Sequence, residues 1–119
     1  MLLEIKNQSF EVMGTGQAPK PRKNRDGSLK LSPTGLPTFS LGGITLRDSG
    51  GVDRSVFVNS CQQEPQILKM GERYRTSGRT WVLPFASNGF VNLSVTCERL
   101  DPVTESAGSL RERPKREDA

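Results

Sequence analysis

The chain has 119 residues and a mass of 13.1 kDa, a length that accommodates one domain and excludes two independent cores. Apolar residues make up 33% and aromatics 6%, while 12 Gly and 8 Pro take about one residue in six, so the predicted core is small. Seventeen Lys and Arg against 13 Asp and Glu leave a net charge of +4, which favours a polyanionic partner, and the absence of histidine removes the commonest general base and a frequent metal ligand.

The first residues, Met1-Leu2-Leu3-Glu4-Ile5-Lys6, meet charge within four positions and lack the apolar run of a leader. They read instead as a strand. Leu3 and Ile5 share one face, whereas Phe10 and Val12 fall on the other parity, which requires a bend or bulge at 7–9. Residues 14–35 then carry Lys20, Arg22, Lys23, Arg25 and Lys30 against the single acid Asp26, a net of +4, together with Pro19, Pro21 and Pro33. Proline removes backbone donors and fixes φ, so neither a helix nor a central strand fits. The turn signal Arg25-Asp26-Gly27-Ser28 makes this a long basic loop or wing, or a loose two-stranded ribbon.

In the second predicted strand Phe39 and Leu41 alternate on odd positions and Ile44 and Leu46 on even ones, with Gly42-Gly43 at the break, where missing side chains let a strand coil sharply. A turn cluster at 47–53 precedes the third strand, 54–60, whose Val56 and Val58 form one face and Phe57 the other. Residues 61–69 read as irregular around Pro65, with one helical turn at 66–68. The fourth strand spans 72–83, interrupted at 76–78, with Trp81 and Leu83 on one face and Trp81 in the core. The fifth, 90–100, alternates most clearly: Val91, Leu93, Val95 and Cys97 against Asn92, Ser94, Thr96 and Glu98. Residues 101–119 hold four basic and five acidic groups, a net of −1, with only Val103 and Leu110 as sizeable apolar side chains. They are predicted to be a disordered tail, because so little apolar surface cannot offset the entropy of ordering.

The expectation is an all-β domain over 1–100, built as a small five-stranded OB-like barrel with a basic wing and a disordered C-terminal tail. No window reaches the ~18 apolar residues of a membrane span, so the predicted protein is cytoplasmic with no membrane partner. Cys61 and Cys97 are too few for a disulfide scaffold and are read as reduced thiols without a histidine partner. Gly14-Thr15-Gly16 is only a fragment of a phosphate loop, and Asp48 and Asp53 sit in a turn whose carboxylates ordinarily bond their own backbone. The chain is therefore expected to be no enzyme and to need no metal, cofactor or small-molecule substrate.

Candidate binding residues follow from charge and parity. Phe90 stands among polar neighbours as either a stacking platform for an unpaired base or a cap over the barrel. Phe57 faces away from its strand's apolar side and serves stacking, a dimer contact or a second small core. Arg54, Arg73, Arg75 and Arg79 form either a basic stripe along a phosphate backbone or edge charges that discourage aggregation.

The ordered features Gly35-Leu36-Pro37, Met70-Gly71-Glu72-Arg73-Tyr74 and the run Phe85, Gly89-Phe90, Leu93, Val95, Arg99-Leu100 and Pro102 are similar to the gene V-type single-stranded DNA-binding, helix-destabilising proteins of filamentous phages, over roughly residues 35–102. The resemblance implies a dimeric OB-like barrel that coats single-stranded DNA during phage or plasmid replication without a cofactor. It implies that Phe90 is the loop aromatic near the bases, Arg99 a strand arginine and 14–35 the DNA-binding wing. Thr38 stands where the family has a wing tyrosine, leaving Phe39 as the nearest aromatic, and Cys97 replaces another strand arginine. The readings left open are a small β-barrel adaptor that docks a protein partner, and an RNA-binding regulator.

Overall fold

A computed structural model of the chain describes residues 2–6, 8–47 and 49–103; beyond residue 103 the predicted tail lies outside the described residues. The described residues contain eight strands and no helix: β1 (Leu3–Ile5), β2 (Glu11–Met13), β3 (Lys20–Pro21), β4 (Phe39–Ser40), β5 (Ile44–Leu46), β6 (Val56–Ser60), β7 (Arg73–Ser87) and β8 (Phe90–Pro102). The all-β class is thus as expected. The helical turn expected at 66–68 is absent, its place taken by irregular chain, because Leu68 leaves the surface for the core.

The organising element is the β7–β8 hairpin. Its two arms pair from Ser87↔Phe90 back to Tyr74↔Pro102, with a bulge between Ser77 and Thr80. Asn88 and Gly89 at its tip have φ of 53° and 80°, the doubly left-handed turn whose twist matches two antiparallel strands. Strand β7 continues through Pro84, beyond the end expected at residue 83. Proline is tolerated there because, among the described residues, the opposite neighbour β1 stops at Leu3↔Val82 and offers that side of β7 no ladder to donate into.

Around this hairpin the sheet runs β3-β4-β6-β8-β7-β2-β5, with β1 also on β7. Strands β1 and β2 are two halves of one bent strand: Ile5 pairs with Thr80, and Glu11 with Arg75. Pairing resumes at Phe10, whose N–H donates to Thr76 Oγ1 at 2.9 Å and whose carbonyl accepts from Thr76 N at 2.9 Å. The parity break read from the sequence is this gap. On the other side of the hairpin β6 lies parallel to β8, Val56 opposite Leu93 and Ser60 opposite Cys97.

The sheet is not closed into a barrel. The expected second strand is split at Gly42-Gly43, so that β4 pairs with β6 and β5 with β2. Gly42 turns the chain with φ of 71°, and Gly43 runs so close to Val12 that a side chain would collide. Across the remaining gap Thr45 Oγ1 donates to Val56 O at 2.9 Å, a side-chain bond in place of a ladder. The turn cluster expected at 47–53 is present as a tight return, Arg47 N to Gly51 O at 2.7 Å and Asp53 N to Thr45 O at 2.8 Å.

Two apolar clusters fill the inner face. Val12, Leu41, Leu68, Tyr74, Cys97 and Leu100 form one, and Val56, Val82 and Val95 the other, with Val58 against both. Trp81 is buried as expected, but outside both clusters, on the odd face of β7 that it shares with Leu83 and Phe85. Cys61 and Cys97 are both buried free thiols, Cys61 Sγ donating to Cys97 O at 3.3 Å and Cys97 Sγ to Asn59 O at 3.5 Å. Burial, reinforced by the neighbouring Cys61, pushes the Cys97 thiol from 9.0 up to about 12. The folded state therefore keeps a proton that the unfolded chain releases above pH about 9, and the stability so conferred is present below that pH and lost as pH rises towards about 12. We expect the free energy of urea unfolding to fall by up to about 1.4 kcal/mol per pH unit for this thiol in that window, and the fall to be shallower in Cys97→Ala. Equal slopes in the two proteins would exclude it.

Candidate nucleic-acid interface

The outer face of the sheet is where the fold gathers its unpaired chemistry. Strand pleating sends Val56, Val58 and Ser60 inwards and Phe57 and Asn59 outwards, while on β7 the odd positions Leu83 and Phe85 reach the same outer face. Phe57 and Phe85 meet there, ring centroids 6.1 Å apart and planes tilted by 36°. They are 51% and 38% exposed, a large apolar area to leave in water beside a sheet that has an inner core of its own.

Two open hollows adjoin this pair. One, of about 630 Å³, is lined by Phe57 and Phe85 together with Phe90, Arg47, Arg54 and Asp53. Phe90 is 72% exposed and comes to this place because the Asn88-Gly89 turn sets it opposite Ser87. Asp53 accepts from Ser55 N at 3.0 Å and Ser55 Oγ at 2.6 Å, bonds that hold its carboxyl below the usual range. The other hollow, of about 540 Å³, is lined by the same two phenylalanines, with Arg22, Lys30, Ser40, Asn59 and Ser94. No acid lines it.

The wing supplies Arg22 and Lys30 through a small knot of backbone bonds. Arg22 N donates to Thr38 O and Lys30 N to Arg22 O, each at 2.9 Å, while Thr38 N and Oγ1 donate to Lys30 O at 3.0 and 2.6 Å. The predicted ribbon is therefore real and doubles back twice. Bridges Lys23↔Leu29 and Leu31↔Pro37 close two hairpins, the first over a tip held by Asp26 Oδ1 on Ser28 N and Oγ. Lys20, Lys23 and Arg25 ride on its exposed surface. Arg22 is partly buried, burial lowers its pKa, and among the described residues it has no carboxylate partner.

The other predicted arginines lie elsewhere. Arg73 and Arg75 both pair with Glu11, ten or more residues along β7 from Phe85, or roughly 33 Å of strand. Arg79 pairs with Glu4 at 2.9 Å and lies over the Trp81 ring, 5.2 Å from its centroid; the Glu4 bond raises its pKa. Arg99 faces Asp101 at 3.4 Å. Carboxylates thus interrupt the stripe expected along β7. Phe39 is half-buried and packs against the inner core rather than the hollows. Arg22, Lys30, Arg54 and Phe90 are brought together as a candidate interface, and Phe57, Phe85 and Arg47 join them.

No family profile, curated protein or solved structure matches the chain.

Proposed function

We propose that this outer face binds single-stranded nucleic acid, and that the protein is a non-catalytic single-stranded DNA-binding protein of the kind that coats DNA during phage or plasmid replication. The observation that carries the reading is the exposed Phe57–Phe85 pair with cations on both flanks: Arg22 and Lys30 at one hollow, Arg47 and Arg54 at the other. Unpaired bases offer π-faces that such rings stack upon, and the phosphates need the flanking charge. A duplex keeps its bases stacked and presents only phosphates, so the aromatic part of the surface favours the single strand.

The strand order supports an OB-like plan for the same reading. With β1 and β2 as a first bent strand, β4 and β5 as a second, then β6, β7 and β8, the third and fifth strands are parallel and the fourth returns to the first, the arrangement of a five-stranded barrel with its second strand broken at Gly42-Gly43. Action as a homodimer is part of this proposal and rests on the resemblance.

The test is fluorescence anisotropy of labelled oligo-dT, oligo-U and an equal-length duplex at several salt concentrations. Tight, salt-sensitive binding that favours the single strands is expected; an absence of binding at low salt overturns the reading and directs the search to a protein partner, and a strong preference for oligo-U transfers it to RNA. Lys23→Ala with Arg25→Ala should weaken binding to all single strands alike. The slope of log K against log salt should become shallower by about 1.4, since each phosphate contact to a single strand contributes about 0.7. An unchanged slope would remove the wing tip from the interface.

A further inference from the structure

The two hollows are not equivalent. In the larger one Asp53 stands beside Arg47 and Arg54 and opposes an incoming phosphate. The smaller one has Arg22 and Lys30 with no acid in its lining, and neither side chain makes an ion pair or hydrogen bond among the described residues. A guanidinium partly withdrawn from water without an anion carries a desolvation cost in the folded protein. It is relieved when an anion arrives, and the planar fork suits a phosphate. The backbone knot through residues 22, 30 and 38 fixes the chain from which both side chains spring before any ligand binds, so that ordering the two side chains, and not the loop, is what opposes the contact.

Resting on the strand-binding reading above, we propose that the Arg22–Lys30 hollow is the anchor nucleotide subsite of this face. One phosphate of the strand sits between Arg22 and Lys30 and its base lies against Phe57 and Phe85, so that this hollow takes an isolated nucleoside monophosphate. The hollow bounded by Arg47, Arg54 and Phe90 is filled only by the continuation of the strand.

The experiment is a titration of the ¹⁵N-labelled full chain with thymidine monophosphate, thymidine and inorganic phosphate, read as amide shifts, beside oligo-dT anisotropy. With thymidine monophosphate, shifts are expected at 22, 30, 38, 40 and 59 and not at 47–55. Inorganic phosphate should move the wing-root amides but not those at 57–59, and thymidine should bind at least tenfold more weakly than its monophosphate. Arg22→Gln should abolish the monophosphate shifts and weaken oligo-dT at least tenfold with no loss of melting temperature, whereas Arg54→Gln should leave monophosphate binding within twofold. Equal binding of thymidine and its monophosphate, shifts centred on 47–55, or an Arg22→Gln protein that binds the monophosphate as before would each overturn the subsite while oligo-dT binding stands. If oligo-dT itself fails to bind the unaltered protein, the strand-binding reading falls, and the subsite with it.

Discussion

Phe57→Ala and Phe85→Ala are each expected to weaken oligo-dT binding by about 1 to 3 kcal/mol, or roughly 5- to 150-fold, the range for losing one base–aromatic stack. The two changes should not add, because the rings touch at a centroid distance of 6.1 Å and removal of either leaves the other without its support. Duplex binding, which reaches only the cations, should change little. Stability supplies the control. Neither ring belongs to the two inner clusters, so melting temperatures should move by only a few degrees. Unchanged oligo-dT affinity in both variants would show that the pair does not touch bases, and a collapse in melting temperature would show that the outer face is a second core.

A large effect on stability is expected at a residue with no regular structure around it. Leu68 is 1% exposed and packs with Val12, Leu41, Tyr74, Cys97 and Leu100. The backbone beside it is fastened on several sides: Gly16 N donates to Leu68 O at 2.9 Å, and Lys69 N donates to the Tyr74 hydroxyl at 2.9 Å. Such a pinned site cannot collapse on the void left by truncation. Leu68→Ala should therefore cost about 2 to 5 kcal/mol in urea unfolding, a large part of the 5 to 15 kcal/mol typical of a domain. Ile67→Ala is the comparison, since Ile67 is 56% exposed and should stay within about 0.5 kcal/mol. Equal effects at the two positions would mean that Leu68 does not carry the core.

Local alternation made much of the sheet legible. The opposed parities of Val56 and Val58 against Phe57, the run from Leu93 to Cys97, the switch between Ile5 and Phe10 and the glycines at 42 and 43 all correspond to faces and breaks in the structure. The Asp26-Gly27 turn was equally readable. What escaped is non-local. Glu4 and Arg79 are 75 residues apart, and Glu11 and Arg73 are 62 apart, so no pattern in the chain announces that these charges meet. Leu68 lies in an irregular segment with no period to reveal its burial. Phe85 was within reach: it shares the odd parity of Trp81 and Leu83, and Asn88-Gly89 marks a two-residue hairpin that would have carried the strand through Pro84.

The parallel pairing of β6 with β8 constrains the order in which the chain acquires its shape. The β7–β8 hairpin closes across two residues, a local event on the microsecond scale, whereas Val56 must find Leu93 across 37 positions of chain. Strands β1, β2 and β6 each lie directly against this hairpin, and β3, β4 and β5 attach only through them. During synthesis the strands before Arg73 can pair only among themselves, β2 with β5 and β4 with β3 and β6, and lack the hairpin against which β1, β2 and β6 lie. The full sheet can therefore assemble only once the last of the described strands, β7 and β8, are present to join its two sides.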